Sequence, residues 1–511
     1  MRLSTISKMK RSIACIVALA FIGILISTPA TAAIKAGDIC KTKGLIGSSP
    51  TKKFTCIKLG KKLVWNQGVL RTDQVSTSKV GDICTLGTQP PLKLPTSVLF
   101  CVKQGDGKSR FIEFLAQSPR ITNPTSPSLL STCQPPDLRG GIAEGSFNWA
   151  ITYPAGPVTL ANKGTLKIAV VPIDFSDVPG TVPPLTLYGT ELKTMASWFN
   201  SYSNGKLRIE FQTGERWNRA LKTTDYYDVG EGINVNIEGE STREIIQEFV
   251  NLTKSNFEYS QSDAVIFLYP ENTPNIKNSF AENQPITINS QTKEIFEMSL
   301  ASANRKYGPA WIWLTHEMLH RMGLAMHFPV NPPNWGIEWG GFTTTPVLLP
   351  WNQGILDWIN SDQYYCIKKE DLVNEKLTLL PLEIPGAGLH SAFIRISNSE
   401  VMMVVSHRKG EWSRDATDSF YGSMVAIIDT TKQTSWNGEH SGEDKMDGSI
   451  FPKSGVYLHP DRNFATPRVW TRTETGDWGA LMYLGDSVSY KGVVVKLIAS
   501  NNYDTLQISK N

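Results

Sequence analysis

The segment from Ala310 to Phe328, AWIWLTHEMLHRMGLAMHF, places the strongest constraint on how this chain folds. Its first part, WIWLT, would be apolar on every side of a helix, which is typical of a helix inside a protein. Polar residues on such a helix are costly to bury unless they have partners. Nevertheless, three of the seven histidines of the chain fall in this segment. The fold must therefore surround this helix and also give its polar side chains something to bind.

The spacing of His316, Glu317 and His320 favours a metal as that partner. Residues four apart lie one turn apart on the same helix face, so both imidazoles can reach one ion. Glu317 lies on the next face, where its carboxylate can reach a water molecule held by the ion. Zinc is favoured because it suits imidazole nitrogens and leaves a coordination position open for water. The alternative is an ordinary buried helix whose histidines are satisfied by hydrogen bonds.

A third ligand requires the chain to reverse after the helix. Gly323 lies three residues after His320 and can adopt the left-handed conformation that ends a helix. The returning loop would then bring His327 over the two other histidines as the third metal ligand. Glu338, in the sequence GIEWGG, is the reserve candidate for that position.

The motif HEMLHRMGLAMH resembles the metzincin zinc signature HExxHxxGxxH or D, and its surroundings resemble the immune inhibitor A-like branch of secreted bacterial metallopeptidases. The similar segments are VVPIDFSDVPG, WFNSYSNGKL, SDAVIFLYP, WNQGILDWI and SMVAIIDTT, in the order of that family. The resemblance implies a zinc endopeptidase with a twisted sheet and an active-site helix, followed by a β-sandwich. Two features depart from the family: its third ligand would fall on Met326, and Trp339 stands where its conserved methionine is expected.

If zinc is bound, Glu317 is the expected catalytic base, taking a proton from the metal-bound water and passing it to the leaving amine. The expected function is hydrolysis of peptide bonds in a protein or peptide substrate. The alternative is a peptidase-fold protein that has lost turnover through the shifted third ligand and serves as a cell-surface or secreted binding module.

The first 32 residues have the pattern of a secretory signal peptide. A basic start is followed by the apolar run from Ile13 to Ile26 and by Ala30-Thr31-Ala32, a small-residue cleavage site. The run is short for a membrane span, and no later segment is long and apolar enough to be one. We therefore expect an exported protein, secreted or attached to the cell surface, with no transmembrane anchor in the mature chain.

Six cysteines remain after removal of the signal peptide, and disulfides are expected in an exported protein. Two similar segments within residues 33–117, each opening with Gly-Asp-Ile-Cys, favour the pairs Cys40–Cys56 and Cys84–Cys101, which leaves Cys133 to pair with Cys366. Such small β modules need a disulfide because they bury little core. They serve either as a spacer or surface-docking arm, as a cell-wall ligand site, or as an inhibitory propeptide.

Composition changes mark the remaining boundaries. Residues 118–136 are rich in Pro, Ser and Thr, which is typical of a linker. Residues 137–366 follow the order strand, helix, strand, helix, strand before the histidine segment, and residues 367–511 contain short alternating stretches typical of a β-sandwich. The predicted fold class is therefore α+β, with a metzincin-like catalytic domain preceded by two disulfide-stapled β modules and followed by a β-sandwich-like region.

Charge and other motifs add little to this picture. The formal net charge is +4 with 19% charged residues, so nucleic acid is not an expected partner. The acidic stretch HSGEDKMDGS, residues 440–449, lacks the alternating oxygen spacing of a Ca²⁺ loop, so a solvated turn is favoured over a calcium site. Four histidines occur singly and are not expected to bind metal: His390, His407, His440 and His459.

Overall fold

A computed structural model gives the structure of the chain. It describes residues 35–48, 52–60, 62–66, 69–70, 82–84, 92–93, 97–103, 109–115, 121–136, 158–227, 242–271, 273, 280–281, 286–288, 290–298, 309–324, 336–337, 345–408, 412, 422–430, 456–458, 462–463 and 481–511. The predicted signal peptide at residues 1–32 lies outside these ranges. The chain divides into two compact units, Met1–Val75 and Ser76–Asn511. No helix within the described ranges is both long and apolar enough to cross a membrane.

The first unit is a small antiparallel sheet held by the Cys40–Cys56 disulfide, as the sequence predicts. Its buried side chains are few, and they gather around that bond with Phe54 and Trp65. A core of this size contributes little stability by itself, which explains the need for the disulfide. Its strands are β1 (Ile46–Ser48), β2 (Lys52–Leu59), β3 (Lys62–Trp65) and β4 (Val69–Leu70).

The second Gly-Asp-Ile-Cys segment forms a three-stranded antiparallel sheet at the start of the second unit. In both repeats the backbone carbonyl of the opening aspartate, Asp38 or Asp82, accepts a hydrogen bond from the closing strand, at 2.9 Å in each case. Cys84 is disulfide-bonded, while the side chain of Cys101, its predicted partner, lies outside the described part of the chain. The strands are β5 (Leu92–Lys93), β6 (Ser97–Lys103) and β7 (Ser109–Leu115).

The central element of the second unit is a seven-stranded mixed sheet. Strand β8 lies beside β9, β10 and β11, all parallel to it, and β14 continues the sheet parallel to β11. Strands β12 and β13 run antiparallel to β14 at one edge. The strands are β8 (Gly164–Asp174), β9 (Leu207–Thr213), β10 (Asn218–Arg219), β11 (Ala264–Leu268), β12 (Phe280–Ala281), β13 (Ile286–Ile288) and β14 (Gln291–Met298).

Helices cover both faces of this sheet. Parallel neighbours require a crossover, and helix α1 (Pro184–Tyr202) makes the one from β8 to β9. Helix α1 packs on one face together with α3 (Ala310–Arg321) and α4 (Pro350–Ile355), whereas α2 (Thr242–Thr253) packs on the other. The mixed α+β architecture agrees with the predicted fold class. Strands β12 to β14 are an addition to the predicted order of elements.

The C-terminal part is a sandwich of a six-stranded and a five-stranded sheet that share one apolar core. This agrees with the predicted β-rich region. The strands are β15 (Tyr364–Lys368), β16 (Asn374–Leu379), β17 (Ser391–Arg395), β18 (Glu400–His407), β19 (Gly422–Asp429), β20 (Val456–Leu458), β21 (Arg462–Asn463), β22 (Leu481–Met482), β23 (Ser487–Tyr490), β24 (Val493–Ser500) and β25 (Asp504–Lys510).

The alternating pattern expected for these strands fails at β18 and β19, where every residue is buried. The reason is that the six-stranded sheet is covered on both faces. Met402 and Val404 lie in the core between the two sheets, whereas Met403 and Val405 join the cluster formed with α1 and α3. A strand covered on both sides needs apolar residues at successive positions. This sheet thus packs directly against the layer that contains the histidine helix.

Much of the predicted linker is bound to this sandwich. Within residues 121–136, the side-chain amide of Asn123 pairs with both backbone groups of Thr378, at 2.7 and 2.9 Å. The disulfide between Cys133 and Cys366 then joins the segment to β15, which is the pairing that the sequence predicts. The segment, which includes a 3-10 helix at Leu130–Cys133, is therefore fastened to the sandwich as a strap.

Candidate metal centre

Helix α3 carries the predicted site and is held at both ends by other elements. At its N-terminus the backbone N–H of Trp311 donates to Oε2 of Glu191 on α1, at 2.9 Å. At its C-terminus the carbonyl of Arg321 accepts hydrogen bonds from the N–H groups of Thr159 and Leu160, at 2.9 and 3.0 Å. These partners satisfy groups that a helix cannot pair internally. The helix is therefore fixed in position as well as buried.

The helix ends in the turn that the sequence predicts. Gly323 has φ of +99°, in the left-handed region that favours glycine. Its N–H donates to His320 O at 3.0 Å, and the N–H of Leu324 donates to Leu319 O at 3.1 Å. This pair of bonds is the Schellman arrangement, which satisfies the last carbonyls of the helix. The chain therefore turns away from the helix axis directly after the histidines.

His316 and His320 face each other inside the protein. The two residues are 2% and 5% exposed, and their Nε2 atoms are 2.9 Å apart. Nδ1 of His316 donates to the carbonyl of Ile337, also at 2.9 Å. Because Nδ1 carries that proton, Nε2 of the neutral ring presents a lone pair. A backbone carbonyl thus sets the tautomer in which His316 can bind a metal.

Ile337 is a partner of His316 that the residue pattern does not reveal. Its N–H donates to Val347 O at 2.8 Å, which fixes the peptide that holds His316. The hydrogen bond to His316 is accepted by a backbone carbonyl, so the side chain at this position gives no indication of it. The only signal in the sequence is the position of Ile337 within GIEWGG, the segment that also contains Glu338.

Burial shifts the protonation of the motif residues. It lowers the pKa of His316 to about 4, although the bond to Ile337 acts in the other direction. It raises the pKa of Glu317 to about 7, against the opposing charge of Arg321 one turn later. His316 is thus neutral at neutral pH, the form that binds metals. Glu317 has a pKa suited to taking up and releasing a proton under the same conditions.

Arg321 also connects the helix to the sheet. Its Nε lies 3.4 Å from Oε2 of Glu294 on β14, and the Glu294 side chain is 3% exposed. A buried carboxylate next to Arg321 holds the guanidinium at this end of the helix, where it acts on Glu317. The sequence analysis misses Glu294 because it does not predict β14.

The two histidines could supply two of the ligands of a zinc site. Both rings are buried and their Nε2 atoms face each other, which fits two nitrogen ligands of one zinc ion. The described ranges contain no group of three or more His, Cys, Asp or Glu side chains arranged to hold a metal. His327, the predicted third ligand, and Glu338, the reserve, lie outside the described residues, as do Met326 and Trp339.

The other histidines in the described ranges have different partners. Nε2 of His390 bonds to the carbonyl of Gly386 at 3.0 Å, and Nδ1 of His407 bonds to Oε1 of Glu383 at 2.9 Å. Both rings take part in packing of the C-terminal sandwich. His440, His459 and the acidic turn at 440–449 lie outside the described residues.

Comparisons with known proteins give few matches. No family model matches the chain, and neither does any protein of curated function. Among solved structures, the chain is similar to the crystal structure of metalloproteinase-II from Bacteroides fragilis, with 12% identity and a TM-score of 0.24. The match covers 61% of this chain and 78% of that chain. A TM-score this low does not establish a shared fold, so function is inferred below from the side chains alone.

Proposed function

We propose that this protein is a zinc-dependent endopeptidase. The observation that carries the proposal is the pair of buried imidazoles on α3, with Nε2 atoms 2.9 Å apart and Glu317 on the adjacent face. Helix packing alone does not require polar side chains here, because apolar residues fill a buried helix face at lower cost. A shared metal ion would bind both Nε2 atoms, which otherwise contact each other.

The ligands in this proposal are His316, His320 and His327. The first two come from one turn of α3, and the left-handed turn at Gly323 ends the helix before His327. Glu338 is the alternative third ligand; it immediately follows Ile337, whose carbonyl bonds to His316. That adjacency supports keeping Glu338 as a candidate.

Bound zinc would acidify its water ligand and polarise the scissile carbonyl. Glu317 would serve as the general base for that water and as the general acid for the leaving amine, and its pKa of about 7 suits both roles. Arg321, paired with Glu294, opposes full protonation of Glu317. His316 is held by the Ile337 carbonyl in the tautomer that leaves Nε2 available.

We place this activity outside the cell or at its surface. The disulfides Cys40–Cys56 and Cys133–Cys366 support this placement because such bonds persist in oxidising compartments. The predicted signal peptide is the sequence evidence for export. Export would bring the enzyme to protein or peptide substrates in its surroundings.

The test combines metal analysis with a cleavage assay on casein or a fluorogenic peptide. We expect one zinc per chain, lost in His320→Gln and retained in Glu317→Gln. Cleavage by Glu317→Gln should fall by about 10²- to 10⁴-fold, the usual contribution of a general base. Glu370→Gln, at an exposed carboxylate, and His390→Gln, at a histidine bonded elsewhere, are the matched controls and should keep zinc and activity.

Other outcomes would reject the proposal in distinguishable ways. If the wild-type chain is purified without zinc and takes up none when zinc is added, the protein has no zinc site and the proposal is wrong. Zinc binding with no cleavage of any peptide would favour the alternative, a binding module with a peptidase fold. The variants His327→Ala and Glu338→Ala identify the third ligand, because only the variant that lacks the true ligand should lose zinc.

A further inference from the structure

The sheet of the first unit has one face closed by the small core and one face open to solvent. Side chains alternate along a strand, so residues of β2 point to opposite faces in turn. Phe54 and Cys56 point into the core around the disulfide. Ile57 and Leu59 point to the other side and are 38% and 67% exposed.

Strand register adds further aliphatic side chains to the open face. Val64 lies opposite Ile57 across β2 and β3, and Ile39 forms an isolated bridge with Val64. Ile46 lies opposite Thr55, a residue on the same face as Ile57. Ile39 and Ile46 are 77% and 58% exposed. We call the set Ile39, Ile46, Ile57, Leu59 and Val64 the aliphatic face.

Such a face is not an ordinary surface feature. Single exposed apolar residues are common on soluble proteins, whereas a contiguous group of them usually marks a binding site. The opposite side of the same sheet buries its apolar residues normally. The aliphatic face thus needs a partner.

Positive charge surrounds the aliphatic face. Residues 35–66 contain eight lysines and a single carboxylate side chain, that of Asp38, whereas the whole chain has a net charge of only +4. Lys41 and Lys43 precede β1, and Lys62 lies opposite Leu59 across β2 and β3; all three are exposed. The basic charge is therefore concentrated around the apolar patch.

This combination selects one class of partner. Lysines with exposed aliphatic residues fit an anionic phospholipid surface, where cations meet headgroups and aliphatic side chains enter the interface. A soluble polyanion would use the lysines alone and leave the aliphatic residues in water. A second copy of the unit would bring two strongly positive surfaces together. We propose that the first unit binds the surface of an anionic phospholipid membrane through its aliphatic face and surrounding lysines.

The second repeat has an equivalent exposed isoleucine. Ile83 occupies the position of Ile39 in the Gly-Asp-Ile-Cys sequence and is 70% exposed. The matching backbone bonds of Asp38 and Asp82 show that the two openings are built alike. This membrane binding does not depend on the proposed peptidase activity.

The test is co-sedimentation of the full exported chain with vesicles of phosphatidylcholine, with and without phosphatidylglycerol. We expect binding only to the anionic vesicles and a decrease with added salt. The variant Ile57→Ser with Leu59→Ser should weaken binding at least about tenfold, since it removes two side chains that would leave water. Lys41→Gln with Lys43→Gln should weaken it by about tenfold or more.

The matched control is Leu221→Ser with Val373→Ser, which removes two aliphatic residues of the second unit that are 68% and 77% exposed. It should bind like wild type. Mass analysis of the Cys40–Cys56 disulfide checks that each variant is folded. Three results would overturn the proposal: no vesicle binding, wild-type binding by the Ile57 and Leu59 variant, or self-association that this variant abolishes. Binding to soluble polyphosphate that equals vesicle binding in all variants would instead identify a polyanion partner.

Discussion

The carbonyl of Ile337 determines what His316 can do, although the two residues are 21 positions apart in the chain. The sequence identifies His316 through the four-residue spacing to His320, a local property of a helix. It does not give the tautomer, because that depends on which group meets Nδ1 in the folded protein. The local sequence pattern thus identifies His316 as a candidate ligand, whereas a contact with a residue distant in the chain determines which of its ring nitrogens carries the proton.

Asp504 shows a similar dependence within the sandwich. Its carboxylate accepts hydrogen bonds from Ser406 and Ser423, at 2.9 and 2.8 Å, and pairs with the guanidinium of Arg408. Asp504 is fully buried and Arg408 is 2% exposed. The pair joins the end of β18 to β25, across the two sheets.

We expect Asp504→Asn to lower the free energy of unfolding by about 3–5 kcal/mol, because it leaves the charge of Arg408 buried without a counter-ion. Asp357→Asn is the matched control, since Asp357 pairs with Lys163 at the surface and its side chain is 75% exposed. That change should cost less than about 1 kcal/mol. Urea denaturation of both variants makes the comparison, and equal losses would contradict the expectation.

At the scale of elements, the end of α3 matters most. The helix itself follows from a local pattern, and the sequence also predicts its glycine stop. The Schellman bonds after Arg321 then set the direction in which the chain leaves the helix. This direction determines where the segment containing His327 can go.

Gly323→Ala should therefore destabilise the protein by about 1–2 kcal/mol, the cost of a left-handed conformation for a residue with a Cβ atom. The same change at Gly189, inside α1, should have the opposite sign. No heavy atom lies within 4 Å of a Cβ added there, and alanine is favoured over glycine in a helix by about 0.5–1 kcal/mol. Denaturation midpoints measure both effects; stabilisation by Gly323→Ala would refute the role given to the turn.

At the scale of the whole molecule, the six-stranded sheet joins the α/β part to the sandwich. One of its faces packs against the five-stranded sheet and the other against the cluster that contains α1 and α3. The strap at residues 121–136 is fastened to the same sheet through the disulfide to Cys366. The support for the candidate metal centre thus extends into the C-terminal part.

Replacing Cys133 and Cys366 together by alanine should lower the main unfolding transition strongly. The bond closes a sequence separation of 233 residues, for which chain entropy gives a contribution of about 5 kcal/mol. The control is Cys40→Ala with Cys56→Ala, which opens a separation of only 16 residues in the first unit. It should leave the main transition unchanged in calorimetry, and a similar shift in both variants would contradict this account.

The sequence by itself determined features that rest on local patterns. These are the buried helix with His316, Glu317 and His320, the stop at Gly323, the order of the longer elements, and the pairings Cys40–Cys56 and Cys133–Cys366. Only the tertiary structure decided the strands β12 to β14, the second covered face of β18 and β19, and the partners Ile337 and Glu294. Strands β12 and β13 have only two and three residues and carry too little periodicity to be recognised. Strand β14 is longer, but it buries the charged residues Lys293 and Glu294 beside its apolar ones and so lacks an alternating pattern. Burial on a second face depends on elements far away in the chain. A helix repeats its own pattern along the sequence, whereas a contact between distant residues exists only once the chain has folded.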